Sequence, residues 1–363
     1  MKIIHLVPSI DDEASGPTYS VVKLSQEINK LKYNSYIYTL GNNFNDTKAK
    51  IFYFKRFFLF KRFGFSFSLL YSLIKESISN KNIIIHSHGL WMFSNILPYF
   101  LYKIFDIKYV CSVRGTLSNW SFNNNKYLKL IVWHLIQKRV LKNAILLHAT
   151  SYMEKKEIEN FNFKNEIYVS PNGMDLNKNF LNFKMKKQIL YLSRIHKKKG
   201  IEILIDVWNE IYNIYPEWKL VIVGPKNKYS NKLEQKIISK NIKNIKLIGP
   251  LYGNNKFKIF SESQLYVLPT FSENFGVTVA ESLSVGTPVI VTKNAPWELI
   301  EKYNAGFWIG EGKDNLKASI IKFINLSDDV KHEMKKSSLL LIENEFNWTS
   351  IAESIIKKYL NIK

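Results

Sequence analysis

Two glutamates, Glu273 and Glu281, are separated by seven residues in the stretch Pro269-Thr270-Phe271-Ser272-Glu273-Asn274-Phe275-Gly276 and the helix expected to follow it through Leu283. Two acceptor carboxylates at different depths suit two sets of hydroxyls, such as those of a sugar and a ribose. Asn274, Phe275 and Gly276 fall at the expected helix start, where free N–H groups and the helix dipole favour an anion such as a diphosphate. The same residues also allow a plain helix-start carboxylate plus a buried glutamate with a local partner. A second loop, Ser193-Arg194-Ile195-His196-Lys197-Lys198-Lys199-Gly200, carries Arg194 and Lys199 just before a helix. Two cations there suit a pyrophosphate leaving group, whose charge grows during transfer. A solvated basic loop is the other reading. A third loop, Ser15-Gly16-Pro17-Thr18, has Gly16 where backbone can approach a phosphate. It is not a Gly-x-Gly-x-x-Gly fingerprint, so a dinucleotide site is unsupported.

These loops need strands and helices to hold them. Short aliphatic runs at 3–7, 35–39, 82–86, 108–113, 144–149 and 166–169 end in polar loops. Between them runs helical periodicity, as at 18–31, where Val21, Val22, Leu24 and Ile28 recur at helical spacing. A second series has strands at 188–192, 219–223, 245–248, 264–268, 288–292 and 306–309. Its helix over 201–214 has Ile201, Leu204, Ile205, Trp208 and Ile211 on one stripe, with Tyr215-Pro216 as the stop. Gly286 suits a helix C-terminus and Pro288 the start of the next strand. Alternation of this kind predicts α/β architecture with parallel sheets covered on both faces. The polar segment 172–187 is the linker candidate, giving two doubly wound domains joined near residue 180. Ligands in such sheets bind beyond the C-terminal ends of the strands, so a cleft between the strand ends of the two domains is expected.

At 363 residues and 46% apolar content the chain has material for two cores, and disorder is excluded. Its single cysteine, Cys111, rules out a disulfide framework and a cysteine zinc site. The start of the chain reads as a first strand and not a signal peptide, and no run approaches a membrane span. The formal charge of +22 admits nucleic acid, anionic lipid or anionic small molecules, or a genome rich in Lys, Asn and Ile. Between residues 47 and 75 there is no acidic residue. Inside it Lys48, Lys50, Lys55, Arg56, Lys61 and Arg62 alternate with Phe52, Tyr53, Phe54, Phe57, Phe58, Phe60, Phe63 and Phe65. Lysines and rings together suit a bilayer interface; the other reading gives the aromatics to the core.

The paired glutamates resemble the motif of retaining family 4 glycosyltransferases of the GT-B fold. So do Ser193-Arg194…Lys199-Gly200, Pro171-Asn172-Gly173-Met174-Asp175, Val223-Gly224-Pro225 and the Gly286-Thr287-Pro288-Val289-Ile290 run. His88-Gly89-Leu90-Trp91 and Val113-Arg114-Gly115-Thr116-Leu117 are similar to a subgroup that builds bacterial surface polysaccharides (O-antigen, capsule, lipopolysaccharide) on lipid carriers. The resemblance implies two Rossmann-like doubly wound domains facing a central cleft. An acceptor-binding domain would span 1–175, with a C-terminal helix over about 348–363 packing back on it. A nucleotide-sugar-binding domain would span 185–345. It further implies that Arg194 and Lys199 bind the donor diphosphate and that Glu281 holds the ribose hydroxyls. Glu273 would contact the donor sugar with the Asn274, Phe275 and Gly276 backbone, with Gly224 also on the donor side. Gly16 would approach the reaction centre. Family members often have a catalytic-site histidine after the strand written here as 108–113, where this chain has Arg114; His86 and His88 are the nearby imidazoles.

The reaction implied is transfer of a sugar from a nucleotide diphosphate to an acceptor hydroxyl with retention. The leaving phosphate takes the acceptor proton. UDP-sugars come first as donors and GDP-mannose second; a lipid-linked (polyprenyl diphosphate) saccharide is the expected acceptor. No Asp-x-Asp motif ends a strand, and Asp11-Asp12 lies in the first loop, so neither a metal nor another cofactor is expected. A glycosidase would use paired carboxylates as acid and nucleophile, but leaves Arg194 and Lys199 without a task. A sugar-nucleotide epimerase is a nearer rival with a similar fold. Nucleic-acid binding would use the charge, yet no zinc-finger, RRM or helix-turn-helix signature is present, and nucleic acid is not expected as a partner. The expected location is cytoplasmic, on the inner face of the cell membrane.

Overall fold

The long β-branched runs become strands, and the amphipathic stretches between them become helices laid on both faces of each sheet. A computed structural model describes residues 1–11, 16–41, 49–58, 63–123, 126–181 and 183–362. The chain divides into two units, one comprising Met1–Gly173 with Trp348–Lys363 and the other Met174–Asn347.

The first unit holds a seven-stranded sheet. Its strands are β1 (Lys2–Val7), β2 (Asn34–Leu40), β3 (Ile51–Phe54), β4 (Ile83–His88), β5 (Lys108–Ser112), β6 (Leu146–Ala149) and β7 (Ile167–Val169). They run parallel in the order β3-β2-β1-β4-β5-β6-β7. All of β4 is buried, as a parallel strand covered on both faces must be. Side chains alternate between those faces. Ile4, Leu6, Ile83, Ile85, Tyr109 and Cys111 pack in the cluster that takes in Leu69 and Leu73 of helix Phe67–Ser79 and Leu97 and Leu101 of helix Phe93–Phe105. Ile3, Ile84, Val110 and Leu146 point the other way, to helices Gly16–Lys30 and Trp348–Leu360.

The second unit has six parallel strands, β8 (Lys186–Leu192), β9 (Lys219–Val223), β10 (Ile245–Ile248), β11 (Ser263–Leu268), β12 (Val289–Thr292) and β13 (Gly306–Ile309), in the order β10-β9-β8-β11-β12-β13. The helix Ile201–Ile211 buries the expected stripe and Val207 as well. It stops short of residue 214, because Tyr215 precedes Pro216 and the approach to a proline disfavours helix.

The linker expectation changes. The segment 172–187 is not a free linker centred on residue 180, since the division falls between Gly173 and Met174. Met174 N donates to Phe346 O at 2.8 Å, Asn177 N donates to Ser284 O at 3.1 Å, and Phe180 packs beside Phe257. The segment's polar composition hid three apolar anchors, Met174, Phe180 and Phe183. The aromatic segment, for its part, contributes an edge strand: Phe52 and Phe54 of β3 lie against Tyr38 at ring distances of 5.3 and 5.2 Å. Arg56 turns inward to the carbonyls of Pro8 and Leu40, whereas Phe58, Phe63 and Phe67 remain exposed. Asp12, Ser15, Lys48, Phe60, Lys61 and Arg62 lie outside the described residues. Among the described residues no helix is long and apolar enough to cross a membrane.

Candidate functional site

In the second sheet the chain order reverses between β8 and β11, which are hydrogen-bonded neighbours. The loops leaving those two strands therefore start side by side and splay apart, the place where ligands of open α/β sheets bind. Glycines bring the loops into contact. At Gly200 (φ +67°) an added Cβ would fall 1.8 Å from Pro269 O, and at Gly224 it would fall 2.4 Å from Ser193 O. Only a residue without a side chain fits either position. Phe271 N and Thr270 Oγ1 donate to Lys198 O at 2.8 and 3.2 Å, tying the second loop to the first.

This stitching sets Lys199 directly against Glu273, Nζ to Oε2, as an ion pair whose side chains are 11% and 16% exposed. Glu273 Oε1 accepts from Asn274 N at 3.3 Å, and Glu273 N donates to Asn294 O at 3.0 Å, so the carboxylate is aimed from both ends. Gly276 (φ +81°) precedes the short helix Val277–Leu283. The Phe275 ring is buried beside Trp297 and Phe346, so only the backbone of Phe275 is available to a ligand.

Glu281 lies inside that helix, buried, with Lys256 Nζ at 2.5 Å from Oε1. Burial raises its carboxyl above the usual range, and Lys256 opposes the shift. Lys256 comes from helix Gly253–Glu262 and carried no sequence signal, being one lysine in the polar run Asn254-Asn255-Lys256. Arg194 is exposed at the end of β8, and its guanidinium has no partner among the described residues. The structure thus joins Lys199 to Glu273 and Glu281 to Lys256, but joins Arg194 to neither pair. Arg194, Lys199 and Lys256 against Glu273 and Glu281 leave a formal charge of +1 (3 − 2). Both carboxylates are matched by lysines, while the exposed Arg194 guanidinium is not engaged by either pair.

In the first sheet the chain order reverses between β1 and β4, which are parallel neighbours. Register pairs His5 with His86 across them, and His88 with Ser112 of β5. His86 and His88 are two residues apart and share a face, and His148 of β6 joins them through the register of Ser112. All four imidazoles are buried. Two anchors fix their tautomers. The Ser170 carbonyl, 2.9 Å from His148 Nε2, can only accept, so that nitrogen carries the proton. His148 Nδ1 is then bare and accepts from His86 Nε2 at 3.3 Å, and His86 Nδ1 accepts from the Tyr359 hydroxyl at 2.6 Å. The other anchor is Arg114, which can only donate: its Nη2 lies 3.1 Å from His88 Nδ1. His88 Nε2 therefore donates to His5 Nδ1 at 3.0 Å, leaving a proton on His5 Nε2, which has no partner among the described residues.

The chain of bonds leaves all four imidazoles neutral. Burial, then the neighbouring cation and imidazoles, lowers every one; His5 and His148 fall to about 3. His5, His86 and His88 are close enough to hold a metal ion. In this tautomer set their remaining lone pairs already accept hydrogen bonds, so the arrangement does not fit one without rebuilding.

Arg114 (φ +54°) also donates Nη1 to Asn172 Oδ1 at 2.6 Å. Burial draws it down to about 10, which leaves it a cation at neutral pH. Gly16 is the first residue of helix Gly16–Lys30, after β1. His86 and His88 are thus framework members held at both ring nitrogens, and Arg114 is the charged end of the network. His5, His148, Asn172 and Tyr359 were not singled out as site residues, although polar residues inside strands buried on both faces were a signal for the two histidines.

Residues 14–178 match the family described as Glycosyltransferase Family 4, and residues 174–339 match Glycosyl transferases group 1. An uncharacterized glycosyltransferase of Methanocaldococcus jannaschii is 29% identical over 228 residues, 57% of this chain and 55% of that protein. The phosphatidylinositol N-acetylglucosaminyltransferase gpi3 subunit of Schizosaccharomyces pombe is 23% identical over 316 residues, 82% of this chain and 65% of that protein. The chain spans about half the length of the first curated relatives it matches. Among solved structures, Anabaena HepE in complex with UDP and glucose aligns with a TM-score of 0.79 at 16% identity, covering 99% of this chain and 100% of that one. Sucrose-phosphate synthase from Thermosynechococcus elongatus aligns with a TM-score of 0.78 at 18% identity, covering 100% and 99%. At such identities the likeness establishes the fold. With one model on each half of the chain and the same two-sheet architecture throughout, the protein belongs to the glycosyltransferases of the GT-B fold, Family 4 in its first half and group 1 in its second.

Proposed function

We propose that the protein transfers a sugar from a nucleotide diphosphate sugar to an acceptor hydroxyl, with retention at the anomeric carbon and without a metal cofactor. The observation that carries this reading is the pair of glutamates at the β8/β11 reversal, each already matched to a lysine, beside the unpaired Arg194. Glu281 offers its second oxygen to ribose hydroxyls while Lys256 holds the first. Glu273 faces the donor sugar, and Arg194 with Lys199 takes the diphosphate. The bond from the anomeric carbon to the diphosphate oxygen breaks and that from the acceptor oxygen forms. The acceptor proton passes to the leaving diphosphate. Stabilising the charge on that group is the protein's main contribution.

HepE was solved with UDP and glucose, which favours a UDP-sugar here over GDP-mannose. We assign the acceptor to the first unit and take it to be a lipid-linked saccharide of a surface polysaccharide, met at an anionic membrane through the basic, aromatic segment 47–75. The test is calorimetry with free UDP and GDP. Wild type binds one of them, and Lys199→Ala and Glu281→Gln each weaken that binding about tenfold or more, as loss of a charged hydrogen bond does. Wild-type affinity in both variants would refute the donor site.

A further inference from the structure

From residue 107 to residue 153 the chain has no acidic residue and seven basic ones, Lys108, Arg114, Lys126, Lys129, Lys138, Arg139 and Lys142. Four of them are exposed on one continuous helix. It runs Lys126–Val132 as α-helix, widens to a π-turn at Trp133–Gln137 and closes as α-helix at Lys138–Asn143. One face of this helix is fixed in the first unit's core through Trp133, Val140 and Leu141. The opposite face presents Tyr127 at 86% exposure, Ile131 at 58% and Leu135 at 65%, spaced four residues apart, with Leu128 beside them at 55%. Lys138, Arg139 and Lys142 continue that face, and Lys126 opens it; none of these cations has an ion-pair partner among the described residues.

The pattern is inverted for a helix meant only for water. Its buried side is apolar, as it must be, but its outer side is apolar too in the first half and cationic in the second. Large exposed side chains side by side cost solubility unless something covers them. A partner that takes both rings and aliphatics at one level, and four cations without a carboxylate at the next, is a bilayer surface with anionic headgroups. The charge is complementary, and the unbroken lack of acids removes the repulsion that such a surface would impose. Lys129 takes no part: it turns inward over the Trp91 ring and donates to Ser121 O.

We infer that the exposed face of the helix over 126–143 docks this protein on an anionic lipid surface, with Tyr127, Leu128, Ile131 and Leu135 entering the headgroup zone and Lys126, Lys138, Arg139 and Lys142 meeting lipid phosphates. This extends the membrane contact proposed above to a second element, and it stands apart from the donor site. The test is co-sedimentation of the full chain with phosphatidylcholine vesicles, with and without about one-third phosphatidylglycerol. Two variants are compared: Tyr127→Ser, Leu128→Ser and Ile131→Ser together, and Lys126→Gln, Lys138→Gln, Arg139→Gln and Lys142→Gln together. Every substituted side chain is exposed, so both should melt as wild type does. Each set should lower binding to the anionic vesicles about tenfold or more. Wild-type binding by either set overturns the assignment. If Lys55→Gln with Phe58→Ser, both exposed, abolishes binding while the helix sets do not, the segment 47–75 is the contact and the helix is not. If the serine set instead breaks an oligomer in sizing and leaves vesicle binding intact, the face is a protein interface and the inference is wrong. A wild type that binds no vesicles removes both membrane contacts, while nucleotide calorimetry still judges the donor site.

Discussion

Acid should unfold the first unit selectively, through its histidines. The ordinary histidine value is 6.5, and His5 and His148 sit near 3 in the folded protein. A folded value below the unfolded one means that the contribution to stability is complete above pH 6.5 and is lost as pH falls below it. At pH 5 each unfolded imidazole has gained about 2 kcal/mol from protonation, taking 1.36 kcal/mol for each of roughly 1.5 units. His5 and His148 together therefore cost the fold about 4 kcal/mol between pH 7 and pH 5. His86 and His88 are lowered too and act in the same direction. Glu154, raised by burial, acts the other way as pH nears its own value, but it is a single group. A domain's whole stability is about 5–15 kcal/mol, so the histidine loss is a large share of it.

The second unit is the internal control, because its histidines, His196 and His332, are exposed. Hydrogen exchange followed by mass spectrometry reads the two sheets separately. Between pH 7 and pH 5, after correction for intrinsic exchange rates, protection of β1 and β4 should fall far more than that of β8 and β11. His5→Asn should remove about 2 kcal/mol of that pH dependence. Equal losses in the two sheets, or an unchanged pH dependence in His5→Asn, would refute the neutral network.

Lys256→Met should leave Glu281 buried without its cation and raise its carboxyl further, so UDP binding should weaken more between pH 8 and pH 6 than in wild type. Calorimetry at the two values checks it, and parallel curves would show that Lys256 does not set the state of Glu281. Gly200→Ala puts a Cβ 1.8 Å from a carbonyl oxygen at φ +67°, and should cost about 1–3 kcal/mol or more from backbone strain alone. A thermal midpoint equal to wild type would mean the two loops are not locked together there.

The strands were readable because parallel strands covered on both faces keep unbroken aliphatic runs; Lys219–Val223, Ile245–Ile248 and Gly306–Ile309 fall where the runs are. β3 was legible only as the alternative to a membrane surface, since Ile51–Phe54 is four residues at a sheet edge inside a run of rings and cations that fits either. The meeting of Lys199 with Glu273 was beyond reach, as it depends on which strands are neighbours, and sheet order is a tertiary fact. The same holds for Glu281: its place in a helix was legible, but its partner Lys256 comes from another helix with no spacing rule linking the two. The histidines were noticed individually, at His86 and His88, but the network needs register, which pairs His5 with His86. Tyr359 enters it from 273 residues away in sequence.

The chain leaves the first unit at Gly173 and returns at Trp348, whose ring carbon lies 2.3 Å from where a Gly173 Cβ would be. On the ribosome this order has a cost in time. Ile3, Ile84, Val110 and Leu146 are made early, but one of the two helices that cover them, Trp348–Leu360, is made only after the whole second unit. The nascent protein therefore carries a partly covered apolar sheet face through the synthesis of the whole second unit, which can close on itself first. A chain interrupted between residues 347 and 348 would have its second unit complete and that face of its first sheet covered by helix Gly16–Lys30 alone.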